Sequence, residues 1–85
     1  MKVFKYLIQS DEGIHARPAT LIVSCAKMFK SSITITNNEK SVDGKRMIAI
    51  MSLNGKKGEE LEIRIEGEDE EEAFDALLKV FKEKL

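Results

Sequence analysis

The chain has 85 residues, with 14 basic and 15 acidic side chains, one histidine and a formal net charge of −1 at pH 7. A chain of this length has room for one hydrophobic core, so residues 1–85 are expected to form a single domain. The near-neutral balance argues against nucleic acid as a partner, because phosphate backbones require a clearly basic face.

The sequence also limits the compartment and the metal chemistry. Cys25 is the only cysteine, so no internal disulfide forms, and secretion to an oxidising space is not expected. The first apolar stretch is interrupted by Lys5 and is too short for a signal peptide, and no run could cross a membrane. One histidine and one cysteine are too few for a zinc site, and the acids of Glu68–Glu72 lack calcium-loop spacing. We therefore expect a cytoplasmic protein without membrane insertion, metal or cofactor.

The first third of the chain predicts a strand followed by a helix. Lys2–Ile8 is rich in aromatic and β-branched residues, which favours a strand, and Asp11–Gly13 ends it. Ala16–Phe29 has apolar residues at three- and four-residue spacing, which predicts a helix with Pro18 in its first turn. The apolar stripe consists of Ala19, Ile22, Val23, Ala26 and Phe29.

The middle of the chain predicts a hairpin and a short apolar element. Ser32–Thr36 alternates as a half-buried strand does, Asn37–Asn38 suits a tight turn, and Lys40–Val42 would be the returning strand. Arg46–Leu53 is apolar and Met-rich and could be strand or helix. We interpret it as a short helix that ends at Asn54–Gly55.

The last third has the two strongest patterns. Glu60–Glu66 alternates apolar and charged residues, which predicts a strand. Asp69–Leu85 is an amphipathic helix with acids at its start and lysines at its end, as the helix dipole favours. The order β-α-β-β-α-β-α indicates an α+β fold in which helices cover one face of an antiparallel sheet.

The segment Gly13–Thr20, GIHARPAT, contains the only histidine and the only proline of the chain. If the helix begins near Ala16, His15 is its N-cap residue, and the unpaired backbone amides of the first turn form an anion site. Arg17 adds a cation whose donors suit phosphate oxygens.

The same features point to covalent chemistry at the imidazole. The neighbouring cation and the positive helix end both disfavour imidazolium, and a neutral ring nitrogen can attack phosphorus. The resulting phosphohistidine would place its negative charge where Arg17 and the free amides point. On the residues alone, two other interpretations of His15 stay open: an anion site without covalent chemistry, and a capping histidine with no chemical role.

Several separated motifs together resemble one family. GIHARPAT, the GK followed by an apolar MIAIMSL segment, and the EGEDEEEA helix start are similar to the HPr family, the histidine-containing phosphocarriers of the bacterial phosphoenolpyruvate–sugar phosphotransferase system. The resemblance covers essentially the whole chain. It implies an open-faced β-sandwich with strand order 1-4-2-3 and three helices on one face.

The resemblance also implies roles for individual residues. His15 would accept a phosphoryl group on Nδ1 from phosphorylated enzyme I and pass it to enzyme IIA domains, while Arg17 would stabilise the phosphate. Ala16 and Pro18 belong to the helix N-terminus of that site. Such a protein is a monomer and a carrier, not an enzyme that turns over. The implied partner surface consists of Thr20, Met47, Ile48, Met51 and Ser52. From the residues alone, flexible thioethers suit a surface for several partners, with Ile50 and Leu53 directed inward.

Two positions depart from the family pattern. Arg46 stands where many family members have a kinase-phosphorylated serine, so that regulatory switch is expected to be absent, and neither Ser41 nor Ser52 occupies the matching place. Glu12 replaces a small polar residue. If Glu12 faces His15, its charge would favour a protonated ring and oppose Arg17; if it faces solvent, screening makes its effect small.

Two alternative functions share this fold. One is a regulatory module that binds a protein without carrying phosphate, although such a module has no need of a nucleophile. The other is a relay independent of sugar transport, of the nitrogen type, whose site chemistry would be identical.

Overall fold

The computed structural model describes all residues, Met1–Leu85, and places three helices on one face of a four-stranded antiparallel sheet. The sheet order is β1-β4-β2-β3, which confirms the expected open-faced α+β sandwich. The elements, in chain order, are β1 Lys2–Leu7, α1 Ala16–Ala26, β2 Ser32–Asn37, β3 Lys40–Asp43, α2 Met47–Ser52, β4 Glu60–Glu66 and α3 Glu70–Glu83.

Strand β4 lies at the centre of the sheet and sets its register. Ile63 is opposite Phe4 of β1 on one side and Ile35 of β2 on the other. Alternate residues of β4 are buried, and the residues between them are charged, because successive side chains of a strand point to opposite faces. The helices therefore cover only one face of the sheet.

The core lies between that face and the helices. Phe81 of α3 is buried and forms edge-to-face contacts with Phe4 and Tyr6, at centroid distances of 5.5 and 5.2 Å. Edge-to-face aromatic pairs add to the stabilisation from buried area. The buried apolar residues are Ile8, Ile14, Ala19, Ile22, Val23, Ala26, Ile33, Ile35, Ile50, Leu53, Leu61, Ile63, Ile65, Ala73, Leu77 and Phe81.

Helix α1 ends at Ala26, so the prediction that it extends to Phe29 is wrong. The N–H groups of Met28 and Phe29 bond to carbonyls three residues back, which tightens the chain into a turn. Phe29 still packs against the core, so the apolar spacing continues beyond the helix itself.

Helix α3 begins at Glu70, one residue later than predicted, because Asp69 is its N-cap residue. The Asp69 carboxylate accepts hydrogen bonds from the N–H groups of Lys30 (2.8 Å) and Ser31 (2.9 Å) and from the Ser31 hydroxyl (2.5 Å). These three donors, foremost the Ser31 hydroxyl, lower the pKa of Asp69 from 3.8 to about 2. Asp69 thus joins the start of α3 to the segment that leads into β2.

Strand β4 has the predicted bounds, Glu60–Glu66, and the remaining boundaries differ from the predictions by at most two residues. The helix α2 is confirmed over Met47–Ser52, and α3 ends at Glu83. The hairpin turn is centred on Asn38 and Glu39 because Asn38 adopts a left-handed φ of 58°. Asn37, predicted as a turn residue, instead ends β2 and is buried.

Candidate functional site

His15 is the N-cap residue of α1, as predicted. Its backbone is extended (φ −97°), and its carbonyl accepts the first helical hydrogen bond, from Ala19 N–H at 3.1 Å. The side chain is 39% exposed, so a docking protein can reach the ring. Neither ring nitrogen has a hydrogen-bond partner within the chain, which leaves both available for chemistry.

The loop before His15 is held by backbone bonds to a distant turn. Ile14 N–H donates to the Gly55 carbonyl at 3.0 Å, and the Ile14 side chain is buried. Gly13 has a left-handed φ of 66°, and a Cβ at this position would overlap the Gly55 carbonyl oxygen. Only glycine fits there without strain. The turn at residue 55 therefore fixes where the imidazole is presented.

The first turn of α1 offers unsatisfied donors next to His15. The N–H groups of Ala16 and Arg17 have no hydrogen-bond partner, and Pro18 has no N–H. The first turn contains no acidic residue and no side-chain cap. Free amides and the positive end of the helix dipole together favour an anion at this point.

Arg17 lines the same cleft as His15 and is free to bind. The cleft has a volume of about 280 Å³, and its walls also include Tyr6, Pro18 and Lys84. All four salt bridges of the molecule involve other residues, so the exposed Arg17 guanidinium has no ionic partner. Two cations, from α1 and from the end of α3, therefore border the space beside the imidazole.

The Glu12 carboxylate lies near the His15 ring, although most of the Glu12 side chain is exposed to solvent. Its Oε1 lies 3.9 Å from His15 Nε2, although the Glu12 side chain is 78% exposed. Of the two orientations considered from the sequence, the structure therefore shows the one in which the carboxylate is near the ring.

The short helix α2 presents an apolar patch, as predicted. Ile50 and Leu53 are buried, whereas Ile48 is 84% exposed and Met51 is also exposed. Met51 and His15 border one shallow groove, which brings this part of the implied partner surface beside the imidazole.

The polar members of the implied partner surface are bonded within the chain. The Thr20 hydroxyl donates to the Ala16 carbonyl at 2.9 Å and lies 3.6 Å from Met47 Sδ. The Ser52 hydroxyl donates to the Ala49 carbonyl at 2.6 Å. Thr20 therefore connects α1 to α2, and neither hydroxyl points a free donor at a partner.

Arg46 is the N-cap residue of α2 and is exposed. Its N–H bonds to the Asp43 carbonyl at 3.2 Å, and its side chain makes no capping bond. This exposed position carries a cation and no hydroxyl that a kinase could modify.

Cys25 and the acidic residues form no further site. Cys25 is half-buried on α1, where burial raises the pKa of its thiol and makes it less reactive. No three His, Cys, Asp or Glu side chains lie close enough together to hold a metal ion. None of the three helices has both the length and the apolar character that a bilayer crossing requires.

Sequence reasoning missed several residues that border the site. Lys84 and Leu85 line the cleft beside His15, and Asn54 and Lys56 line the groove shared with Met51. Both pairs are far from GIHARPAT along the chain. Only the packing of α3 against the sheet and the turn before β4 bring them to His15, and no local pattern signals it.

Comparison with known proteins identifies the class of protein. The family model for the HPr component of the phosphotransferase system, described by its phosphorylation site, matches residues 2–83. The phosphocarrier protein HPr of Lysinibacillus sphaericus is 37% identical over 83 residues, which cover 98% of this chain and 94% of that protein. The chain belongs to the HPr family of phosphocarrier proteins of the phosphotransferase system.

Solved structures agree with this assignment. A mycoplasma histidine-containing phosphocarrier protein superposes with a TM-score of 0.95 at 32% identity, covering 98% of this chain and 94% of the other. A crystal structure of HPr-C-His from Thermoanaerobacter tengcongensis gives a TM-score of 0.91 at 39% identity, covering 99% of this chain and 94% of the other. A dimer of HPr from the same bacterium gives a TM-score of 0.78 at 39% identity, covering 99% of this chain and 97% of the other.

Proposed function

We propose that this protein accepts a phosphoryl group on His15 Nδ1 from phosphorylated enzyme I and passes it to enzyme IIA domains. The observation that carries the proposal is the half-exposed, unbonded imidazole of His15 at a helix N-terminus whose first amides have no partners. This arrangement offers a nucleophile together with donors for the three charged oxygens that arrive with phosphorus.

The two ring nitrogens differ in their surroundings. Nδ1 is bonded to Cγ and is the ring nitrogen nearer to the backbone along the side chain, whereas Nε2 is distal and lies 3.9 Å from Glu12 Oε1. A phosphoryl group on Nδ1 would thus be within range of the Ala16 and Arg17 N–H groups and of the Arg17 guanidinium. The helix N-terminus favours Nδ1 as the acceptor.

The proposed partners dock on the surface around this nitrogen. Ile48 and Met51 offer exposed apolar area on the side of α2, and a flexible thioether can adapt to more than one partner. The proposed compartment is the cytoplasm, where the unpaired Cys25 thiol would stay reduced. The chain acts as a carrier, phosphorylated by one partner and dephosphorylated by the next.

The test is phosphorylation of the purified chain with enzyme I and phosphoenolpyruvate. The wild type is expected to gain one phosphoryl group that is labile to acid and stable to alkali, and His15→Ala is expected to gain none. Arg17→Ala should slow acceptance about tenfold, corresponding to roughly 1.4 kcal/mol, the scale of one hydrogen bond to a charged group.

Lys79→Ala serves as the matched control, because it removes an exposed cation from α3 that borders neither cavity at the site. Its rate should equal that of the wild type. A wild-type chain that stays unmodified beside a competent enzyme I would refute the carrier proposal and favour a binding module.

A further inference from the structure

The carboxylate of Glu12 lies near the distal nitrogen of the His15 ring. Its Oε1 is 3.9 Å from Nε2, which is the ring nitrogen that the proposed phosphoryl transfer leaves free. A polar contact of this length between exposed groups closes through small side-chain motion or one bridging water. We propose that Glu12 is a positioning residue for phosphoryl transfer: it holds a proton on Nε2 and stabilises the positive charge that the ring gains when Nδ1 bonds phosphorus.

This proposal rests on the proposed function, and its chemistry follows from the charge on the ring. The Nδ1 lone pair forms the bond to phosphorus, while the bond from phosphorus to the donor breaks and leaves its electron pair with the donor. The proton on Nε2 stays in place, so the ring becomes a cation as the new bond forms. A carboxylate beside Nε2 stabilises that developing cation, as an acidic residue does for a catalytic imidazole.

The same contact assists the second transfer. A ring that keeps its Nε2 proton leaves phosphorus as neutral imidazole, whereas a ring that has lost this proton would have to leave as an anion. The Glu12 carboxylate stabilises the protonated ring, because an opposite charge nearby favours the charged state. Its carboxylate therefore keeps the phosphoryl group transferable.

Repulsion between Glu12 and the phosphoryl group is the opposing effect. The carboxylate lies near Nε2, whereas the phosphoryl group is bonded to the other ring nitrogen, Nδ1. Glu12 is also 78% exposed, so water and salt screen its longer-range interactions more than its contact with the ring. Arg17 and the free amides offset the phosphate charge on the other side.

Other charged groups around the ring come from three segments. Arg17 of α1 and Lys84 at the end of α3 border the cleft, and Lys56 borders the groove before β4. Asp11 is the neighbouring carboxylate, but it pairs with Lys57 Nζ at 2.9 Å instead of the ring. Asp11→Asn is therefore a matched control, since it removes the same charge one residue away from a side chain that is also mostly exposed.

The experiment measures hydrolysis of the phosphorylated protein without any partner. Wild type, Glu12→Gln and Asp11→Asn are phosphorylated with phosphoramidate, a small phosphoryl donor, and phosphate release is followed from pH 4 to pH 9. In Glu12→Gln the rate should fall off at lower pH than in wild type, and release near neutral pH should slow about two- to fivefold, the range of one exposed ion pair. The Asp11→Asn profile should superpose on that of the wild type.

Two results would overturn the role of Glu12: a Glu12→Gln profile identical to the wild type, or an equal shift in Asp11→Asn, which would indicate a general charge effect. Because phosphoramidate replaces enzyme I, the measurement is independent of the partners. A chain that shows the Glu12 shift but takes no phosphate from enzyme I would refute the proposed function and leave this inference standing.

Discussion

Replacing Gly13 with alanine tests whether the imidazole is placed by its contact with the turn at Gly55. Gly13 has φ +66°, in the left-handed region, and its backbone lies against the Gly55 carbonyl oxygen. An alanine Cβ there requires the Gly55 carbonyl to move. That carbonyl is the acceptor of the Ile14 N–H, in the residue before His15.

The free energy of unfolding should fall through two additive effects. A left-handed conformation costs a non-glycine residue about 1–2 kcal/mol. Displacing the Gly55 carbonyl weakens the Ile14 hydrogen bond, with a net loss of about 0.5–1.5 kcal/mol. The sum is about 1.5–3.5 kcal/mol, a large part of the roughly 5–15 kcal/mol that stabilises an ordinary domain.

Gly58→Ala is the matched control. Gly58 also has a left-handed φ, of +90°, but a Cβ at this position would meet nothing within 4 Å. This variant should therefore lose only the backbone contribution, about 1–2 kcal/mol. The difference between the two variants isolates the contact with Gly55.

Urea unfolding followed by circular dichroism gives both free energies, and phosphorylation by enzyme I reports the site. Gly13→Ala should be the less stable variant and should accept phosphate more slowly even where it is fully folded, whereas Gly58→Ala should accept it at the wild-type rate. Equal losses of unfolding free energy in the two variants, together with equal rates of phosphorylation by enzyme I, would show that the Gly55 contact does not position His15.

Two further predictions concern the Asp69 contacts that join α3 to the segment before β2, and the helix α2 of the partner surface. Asp69 has its pKa lowered from 3.8 to about 2, so its contribution to stability is complete above pH 4 and is lost as the pH falls toward 2. The urea midpoints of wild type and Asp69→Asn should therefore differ by a constant amount above pH 5 and converge toward pH 2; a gap that persists at pH 2 would contradict this. On α2, Ile50→Ala leaves a cavity at a buried position and should lower the free energy of unfolding by about 2–5 kcal/mol. Ile48→Ala alters an exposed side chain, so it should lower the free energy of unfolding by less than about 0.5 kcal/mol and yet slow phosphoryl transfer from enzyme I. An unchanged transfer rate would show that Ile48 does not belong to the partner surface.

The helices and strands whose apolar residues recur at regular spacing were predictable from the sequence. The strict alternation of Glu60–Glu66 can bury its apolar residues only as a strand with one covered face, and it became the central strand. The position of His15 as N-cap was predictable because Pro18 suits only the first helical turn. The strand order came from the resemblance to a family, because periodicity says which face of a strand is buried but not which strand is its neighbour.

The features that sequence could not supply depend on contacts between distant residues. The end of α1 was placed too late because Phe29 stays on the apolar face although the helix has ended. Nothing near Asp69 indicates that its carboxylate binds the N–H groups of Lys30 and Ser31 and lowers its own pKa in doing so. The orientation of Glu12 was likewise open, because a loop residue three positions before His15 can face either the ring or solvent.

The site itself is less local than its motif suggests. Gly13–Thr20 supplies the nucleophile, the free amides and the guanidinium, but hydrogen bonds from the turn before β4 determine where they point: Gly55 accepts from Ile14, and Gly58 donates to Ile8. A side chain at Gly55 would itself strike Ile8, since a Cβ there lies 2.9 Å from the Ile8 Cδ1. The two segments therefore constrain each other. The eight-residue motif placed before a helix without this turn would keep the reactive groups of His15 but would not hold the imidazole in the same position.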